Sequence, residues 1–126
     1  MELTNFEIKQ LNVFTDTLLV KGMSTDAKIK LVALKMQLRN IANEIAEFEK
    51  TTADSIRPTD IESLSDEDKE KLDKEYSDII VPYYNKTNDI DFELLSKDDF
   101  GKLVDCNDIE KLVGYEYIYT KLVNKE

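Results

Sequence analysis

Residues 24–50 read STDAKIKLVALKMQLRNIANEIAEFEK, and this stretch predicts one long helix. It contains no Gly or Pro, and most of its residues are strong helix formers such as Ala, Leu, Lys and Glu. Ser24, Thr25 and Asp26 are consecutive N-cap candidates, and Gly22 breaks the chain just before them. One set of apolar residues recurs at alternating spacings of three and four, so the set shares one face. Its members are Leu31, Leu34, Leu38, Ile41, Ile45 and Phe48.

A second apolar set lies on nearly the opposite side of the same predicted helix. At about 100° per residue, Ile29, Val32 and Met36 point away from the first set. Past Arg39, that side carries Asn43 and Glu47 instead. We therefore expect the first half of the helix to lie between two partners and the second half to pack on one.

Basic residues also cluster on this helix. Lys28, Lys35 and Arg39 project from one side, about a quarter turn from the first apolar set. No acidic residue occurs between positions 27 and 43. The functional interpretation is a docking patch for an acidic partner. The alternative is that the chain's own acidic half covers these side chains, or that they are merely solvated.

Length and charge limit the possible classes of protein. The 126 residues suffice for a single domain, 1–126. Residues 1–50 hold seven basic and seven acidic side chains, so the net charge of −10 arises entirely from residues 51–126. An acidic field repels nucleic acid and anionic lipid, so we expect no direct nucleic-acid partner and no membrane partner. The apolar runs are too short to span a bilayer, and the N-terminal residues do not resemble a signal peptide.

The flanking segments predict further helices. Thr4 and Glu7 form a capping box that opens a helix over residues 4–21, which Gly22 closes. A short link then folds this helix back on the central one, so that residues 1–50 form an antiparallel helical hairpin. Residues 51–64 predict a loop, with a turn near Pro58. Residues 65–126 then form an acidic helical subregion.

That subregion begins with Ser65, a helix start followed by three acids, and Pro82 should end or kink the helix at about Ile80. Residues 89–94 alternate polar and apolar side chains, as a half-buried strand does. This strand has two candidate partners, which are residues 79–84 of the same chain and a neighbouring subunit.

Two short helices complete the predicted fold. Ser96 with Asp99 caps a helix over residues 97–104, and Asn107 with Glu110 caps the last one. The last helix has an apolar stripe of Ile109, Leu112, Tyr115, Tyr119 and Leu122. The expected fold class is therefore mainly α, a small helical domain. It comprises an antiparallel helix pair, two or three shorter helices and one short extended segment near residues 89–95.

Residue content excludes several kinds of active site. The chain has no His and one Cys, Cys106, which excludes Ser–His–Asp and Cys–His nucleophiles and His/Cys zinc sites. Its three glycines are isolated, and the acidic runs beginning at Asp66 and Asp89 lack the glycine of a calcium loop. Paired acids such as Asp98 and Asp99 have a simpler interpretation as helix caps or solvated groups. We expect no cofactor, no metal and no enzymatic activity.

From about residue 64, the segments follow a recognisable order. An acid-rich helix is followed by a Tyr/Asn-rich link, the run DIDFELL from Asp89, the run SKDDF from Ser96, and a capped last helix. This order resembles that of a family of small acidic proteins of tailed bacteriophages that has no assigned function. The resemblance implies a phage accessory or virion-associated protein, and it supplies no functional residues.

These observations lead to three hypotheses. The first is a non-enzymatic phage protein that acts through protein–protein contacts as a virion structural or assembly component. It would be located in the virion or the host cytoplasm, and its partners would be copies of itself or other virion proteins. The second is an acidic nucleic-acid mimic that inhibits a host nuclease or regulator. The third is a small enzyme that uses only carboxylates and tyrosines.

Two features motivate the first hypothesis, together with the lack of a catalytic set of residues. One is the second apolar side of the central helix with its flanking basic residues. The other is the predicted strand, because a strand with no sure partner exposes backbone groups that pair with another chain. The residues predicted to bind a partner are Ile29, Val32, Met36, Lys28, Lys35, Arg39, Ile90, Phe92 and Leu94.

Overall fold

A computed structural model describes residues 1–16, 18–57, 63–106 and 121. In chain order its elements are β1 (Glu2–Thr4), α1 (Asn5–Asp16), α2 (Thr25–Ile56), α3 (Asp66–Tyr84), β2 (Thr87–Asp89) and α4 (Lys97–Cys106). The predicted mainly helical fold is confirmed, and β1 and β2 add a small antiparallel sheet. The predicted last helix falls on residues 107–126, which apart from Lys121 lie outside the described residues.

The core is built on the predicted main face of α2. Leu31, Leu34, Leu38 and Ile45 are buried there, Ile41 packs against them, and Phe48 is partly buried. Other elements contribute the remaining buried side chains. These include Leu3 of β1, Ile8 and Leu11 of α1, Ile90 and Leu95 of the segment after β2, and Leu103 of α4.

Helix α2 begins where predicted but ends later. The Ser24 hydroxyl caps it by accepting from the backbone N–H of Ala27 at 3.1 Å. The prediction of a loop over residues 51–64 is wrong for residues 51–56, which are helical because Thr52 is buried and no Gly or Pro interrupts them. The helix ends at Arg57, whose extended backbone (φ −80°, ψ 128°) is the conformation favoured before a proline.

Helix α1 is shorter than predicted. Its capping box is confirmed, since Thr4 N donates to Glu7 Oε1 at 3.0 Å and Glu7 N to Thr4 Oγ1 at 3.1 Å. The helix ends at Asp16 rather than at residue 21, so that boundary is wrong. Near the end, the Thr15 hydroxyl donates to the carbonyl of Asn12, a local bond that competes with helix continuation. Gly22 follows with φ 85°, a left-handed conformation suited to glycine.

Ion pairs fix the direction of α1 against α2. Lys9, early in α1, bonds Glu49 near the end of α2 at 2.7 Å. Asp16, at the end of α1, bonds Lys35 in the first half of α2 at 3.0 Å. The partners follow in reverse order, so the two helices run antiparallel, as predicted.

The predicted strand over residues 89–94 is wrong in both position and partner. Strand β2 covers Thr87–Asp89 and pairs with β1 of the same chain, with Leu3 opposite Asn88. Asn5 secures this pairing, because its side chain donates to Tyr83 O at 2.8 Å and accepts from Asn88 Nδ2 at 2.7 Å. Residues 79–84 belong to α3 instead of pairing with a strand.

The segment after β2 packs on α2 without being a strand. The side chain of Gln37 pairs with the backbone of Asp91, as its Nε2 donates to the Asp91 carbonyl at 2.7 Å and its Oε1 accepts from the Asp91 N–H at 3.0 Å. One glutamine thus supplies the two hydrogen bonds that a neighbouring strand would make. The Ile90 N–H donates to Met1 O at 2.7 Å, so it is also satisfied within the chain.

Helix α3 passes through the proline that was expected to end or kink it. Ser65 caps its start, as predicted, by accepting from the Asp68 N–H at 3.2 Å. The helix contains Pro82 and ends at Tyr84, so the predicted end at about Ile80 is wrong. The last turn is held from outside the helix, because the Tyr83 ring stacks on Phe48 of α2 with centroids 3.8 Å apart. That contact offsets the loss of the backbone hydrogen bond that Pro82 cannot donate.

Helix α4 is joined to the start of α2 by one carboxylate. Asp99 N donates to Ser96 Oγ at 3.1 Å, which confirms the predicted cap, and α4 runs to Cys106 rather than to residue 104. The Asp99 carboxylate accepts from Ser24 N and Ser24 Oγ, both at 3.2 Å, and from Ser96 Oγ at 3.2 Å. Asp99 therefore links the N-termini of α2 and α4.

Replacing Leu38 by Asp should abolish folding, because Leu38 is fully buried and the new carboxylate would have no partner. We expect a loss of about 4 kcal/mol or more in the free energy of unfolding. The matched control is Met36→Asp, two residues away on α2 at 60% exposure, where the change should stay within about 0.5 kcal/mol. Thermal melts followed by far-UV circular dichroism test this. Equal melting of the two variants would contradict the assigned core.

Candidate protein-docking face

The candidate site is the outer face of α2, defined as Ile29, Val32 and Met36. Their exposed fractions are 63%, 55% and 60%, whereas Leu34 and Leu38 on the opposite side are fully buried. The described residues therefore cover only one side of the helix. The other side presents a row of large apolar side chains that no described residue covers, whereas the sequence pattern predicted a second partner there.

Two hollows flank Val32 on this face. The first has a volume of about 350 Å³ and the second about 130 Å³, and Val32 lines both. The first is lined by Thr25, Lys28, Ile29, Val32, Ala33 and Met36. The second is lined by Thr15, Leu18, Val20, Leu31, Val32 and Lys35. Leu18 and Val20 were missed in the sequence, because the stretch that holds them was assigned to the first helix.

The three predicted basic residues differ in their surroundings. The ammonium of Lys35 bonds Asp16 Oδ1 at 3.0 Å and the Thr15 carbonyl at 3.5 Å, so α1 neutralises it. Lys28 and Arg39 are exposed. The positive charge beside the outer face is therefore that of Lys28 and Arg39, which share one flank of the helix.

The opposite flank of α2 is occupied by the chain itself. The ammonium of Lys30 bonds Asp26 at 3.0 Å and Glu93 at 3.6 Å, and the hydrogen bond to Asp26 is the main cause of its raised pKa. Gln37 holds Asp91 on the same side. The segment after β2 thus borders the outer face away from Lys28 and Arg39.

The three predicted strand residues differ in their exposure. Ile90 is buried in the chain's own core at 1% exposure. Phe92 is partly buried and packs against that core, and Leu94 is 47% exposed. The premise of an unpaired strand fails, so the case for partner binding rests on α2.

A second cluster, not predicted from the sequence, joins three helices. Glu49 of α2 accepts hydrogen bonds from the Tyr84 hydroxyl of α3 and from Lys9 of α1, the latter at 2.7 Å. The Lys9 ammonium also lies 5.5 Å from the centroid of the Tyr84 ring. Because the three residues lie on separate helices far apart in sequence, no local sequence pattern predicts the cluster.

The pKa shifts of this cluster favour a structural role. The hydrogen bond to Glu49 raises the pKa of Lys9, and burial followed by the bond to Glu49 raises the pKa of Tyr84. Burial alone would raise the pKa of Glu49, but the hydrogen bonds from Lys9 and Tyr84 outweigh it and the pKa is lowered. Each shift favours the protonation state already present at neutral pH, whereas acid–base catalysis favours pKa values near 7.

A wider groove of about 570 Å³ separates the end of α2 from α3. Ile56, Leu72 and Tyr76 supply apolar lining, and Arg57, Lys69 and Asp73 also line it. Its charged lining thus comprises two basic side chains and one acidic side chain. Among the described residues, no group of three or more Cys, Asp or Glu is placed to hold a metal ion. No helix in the described part of the chain is long and apolar enough to cross a membrane.

Comparisons with protein-family models, with curated proteins and with solved structures found no match. The outer face of α2 combines exposed apolar side chains, adjoining hollows and the exposed cations Lys28 and Arg39.

Replacing Glu49 by Gln should lower the free energy of unfolding by about 1–2 kcal/mol at neutral pH, because the charged acceptor shared by Lys9 and Tyr84 is lost. The Glu49 pKa lies below its ordinary value of 4.5 in the folded state. The carboxylate's contribution is therefore complete above that value and is lost as the pH falls through the folded pKa.

Urea unfolding of both proteins between about pH 3 and 7 tests this. The difference between wild type and Glu49→Gln should shrink in the acid range. Glu47→Gln, an exposed neighbour on α2, is the control and should show little difference at any pH. A difference for Glu49→Gln that is constant with pH would contradict the assigned role.

Proposed function

We propose that this protein is a non-enzymatic bacteriophage component that acts through protein contacts, as a structural or assembly subunit of the virion. The supporting observation is the outer face of α2, where three adjacent large apolar side chains are each more than half exposed. Contiguous exposed apolar surface marks interaction sites in soluble proteins. The phage assignment is supported by the resemblance of the segment order after residue 64.

The energetics of the outer face favour a contact that extends beyond its three residues. Complete burial of a Val, Ile or Met side chain contributes about 1.5–3 kcal/mol, so covering these partly exposed ones contributes about 3–5 kcal/mol in total. Association itself costs about 4 kcal/mol or more. A stable partner must therefore also fill the hollows beside Val32 or contact Lys28 and Arg39. Alternatively, several copies of the contact act together, as they do in a particle.

The acidic surface of α3 favours a second candidate function, mimicry of nucleic acid to inhibit a host nuclease or regulator. The helix carries seven acidic and three basic side chains, and all ten are exposed. A dense row of carboxylates on a rigid helix can occupy a basic groove that normally binds phosphates. This function would use α3 and leave the outer face of α2 unused, so substitutions on the two helices separate the candidates.

Replacing Val32 by Asp should reduce incorporation into particles at least about tenfold, since burying the new carboxylate at a contact costs more than 1.4 kcal/mol. The measurement is immunodetection in purified virions and in the lysate of cells infected by phage encoding each variant. Val81→Asp on α3 is the matched control, because Val81 is 53% exposed against 55% for Val32. It should be incorporated like the wild type.

Equal incorporation of both variants would contradict the role of α2. A chain found in the lysate but absent from virions and their assembly intermediates would contradict the virion role. Inhibition of a host nuclease that is lost on replacing α3 acids by Asn or Gln, and kept in Val32→Asp, would support the second candidate instead.

A further inference from the structure

We propose that the occupant of the outer face is an acidic amphipathic helix of another protein. This inference rests on the proposed function and names the partner of the same surface. Its apolar residues would fill the hollows on both sides of Val32, and its carboxylates would lie beside Lys28 and Arg39.

The shape of the surface favours a helical occupant. The outer face follows one side of α2 for about two turns, and the hollows beside Val32 suit side chains spaced i, i+3 or i+4 on a second helix. The backbone of α2 is bonded within the helix and offers no row of free donors and acceptors. An extended peptide crossing this apolar surface would leave its own backbone groups unpaired, whereas a helix satisfies its own.

The charges beside the face favour an acidic partner. Lys28 and Arg39 lie on the same flank and are separated by 11 residues, which is about 16 Å along the helix axis. Lys35, between them, is neutralised by Asp16. A partner helix that packs along α2 therefore meets two positive charges about three turns apart, and acids at matching positions pair with both.

The same charges disfavour a second copy of α2 as the occupant. An antiparallel two-fold pair of outer faces brings the Lys28 and Arg39 flanks of both copies together, and like charges on facing flanks destabilise the pair. Helix α3 of a second copy is acidic, but its two exposed large apolar side chains, Ile79 and Val81, are two residues apart and therefore do not share a face. Its other apolar side chains Leu72, Tyr76 and Tyr83 are partly buried, and Ile80 is buried in its own fold.

A library of random displayed peptides of about 20 residues tests the proposal. Peptides are selected for binding to the wild-type chain and counter-selected against binding to Val32→Gln, a variant that adds no charge. Val81→Gln is the control for the effect of an exposed Val→Gln change on the fold. Selected peptides should show apolar residues at helical spacing and more Asp and Glu than Lys and Arg. Binding of the best peptide should weaken about fivefold in the double variant Lys28→Gln/Arg39→Gln, the size expected from two exposed ion pairs. Salt should reduce that difference.

The outcomes separate this inference from the proposed function. Selected peptides with helical spacing but no acidic bias, or peptides of an extended pattern, would overturn the acidic-helix partner and leave α2 as a docking face. Self-association in sedimentation that Val32→Gln abolishes and Val81→Gln retains would replace the partner by a second copy. Failure to select any peptide that distinguishes the wild type from Val32→Gln, together with no self-association, would contradict both proposals.

Discussion

Burial of one side of α2 is the interaction on which the other contacts depend. Leu34 and Leu38 are fully buried in a cluster that also contains Leu3 of β1, two residues of the segment after β2, and residues of α1 and α4. Because the helix is rigid, burying that side fixes the direction of the other side as well. Ile29, Val32 and Met36 then face solvent, and they could turn inward only if the core were lost. The exposed apolar surface is thus coupled to the stability of the fold.

Polar side chains fix how the helices and strands meet, which burial of the apolar core alone does not determine. Asn5 joins the end of α3 to the β1–β2 sheet, and Gln37 holds the following segment on α2. Asp99 joins the starts of α2 and α4. Asn5 is buried, so removing it would leave buried polar groups without a partner and would cost more than each bond contributes. The bonds of Gln37 and Asp99 lie at exposed positions, where water replaces a lost partner. Such contacts determine how elements meet when hydrophobic burial alone would allow several arrangements.

The parts of the fold that were predictable are those set by local chemistry. The caps at Thr4, Ser24, Ser65 and Ser96 each involve residues within one turn, and the periodicity of α2 alone identifies its main apolar side. The β1–β2 pairing was missed because each strand has three residues and the two are more than 80 positions apart. The alternation of polar and apolar residues after Asp89 led to a wrong strand prediction. Ile90 and Phe92 do face the core, but Gln37 rather than a neighbouring strand bonds the backbone there. At the candidate site, the separate apolar face of Ile29, Val32 and Met36 was predictable, whereas its exposure depended on how the other elements pack. Neutralisation of Lys35 by Asp16 likewise depended on where α1 ends.

The part played by Asp99 changes how the net charge of −10 is understood. Two helix N-termini meet at this residue, and each carries a partial positive charge that would repel the other. The carboxylate lies between the two N-termini and stabilises both. In the same way, Glu7 accepts from Thr4 N at the start of α1, and Glu49 pairs with the Lys9 ammonium. Each of these partly exposed acids bonds a donor of the fold, so part of its charge is compensated within the molecule. Among the described residues, the negative charge is therefore concentrated on α3, while Lys28 and Arg39 form a positive flank on α2.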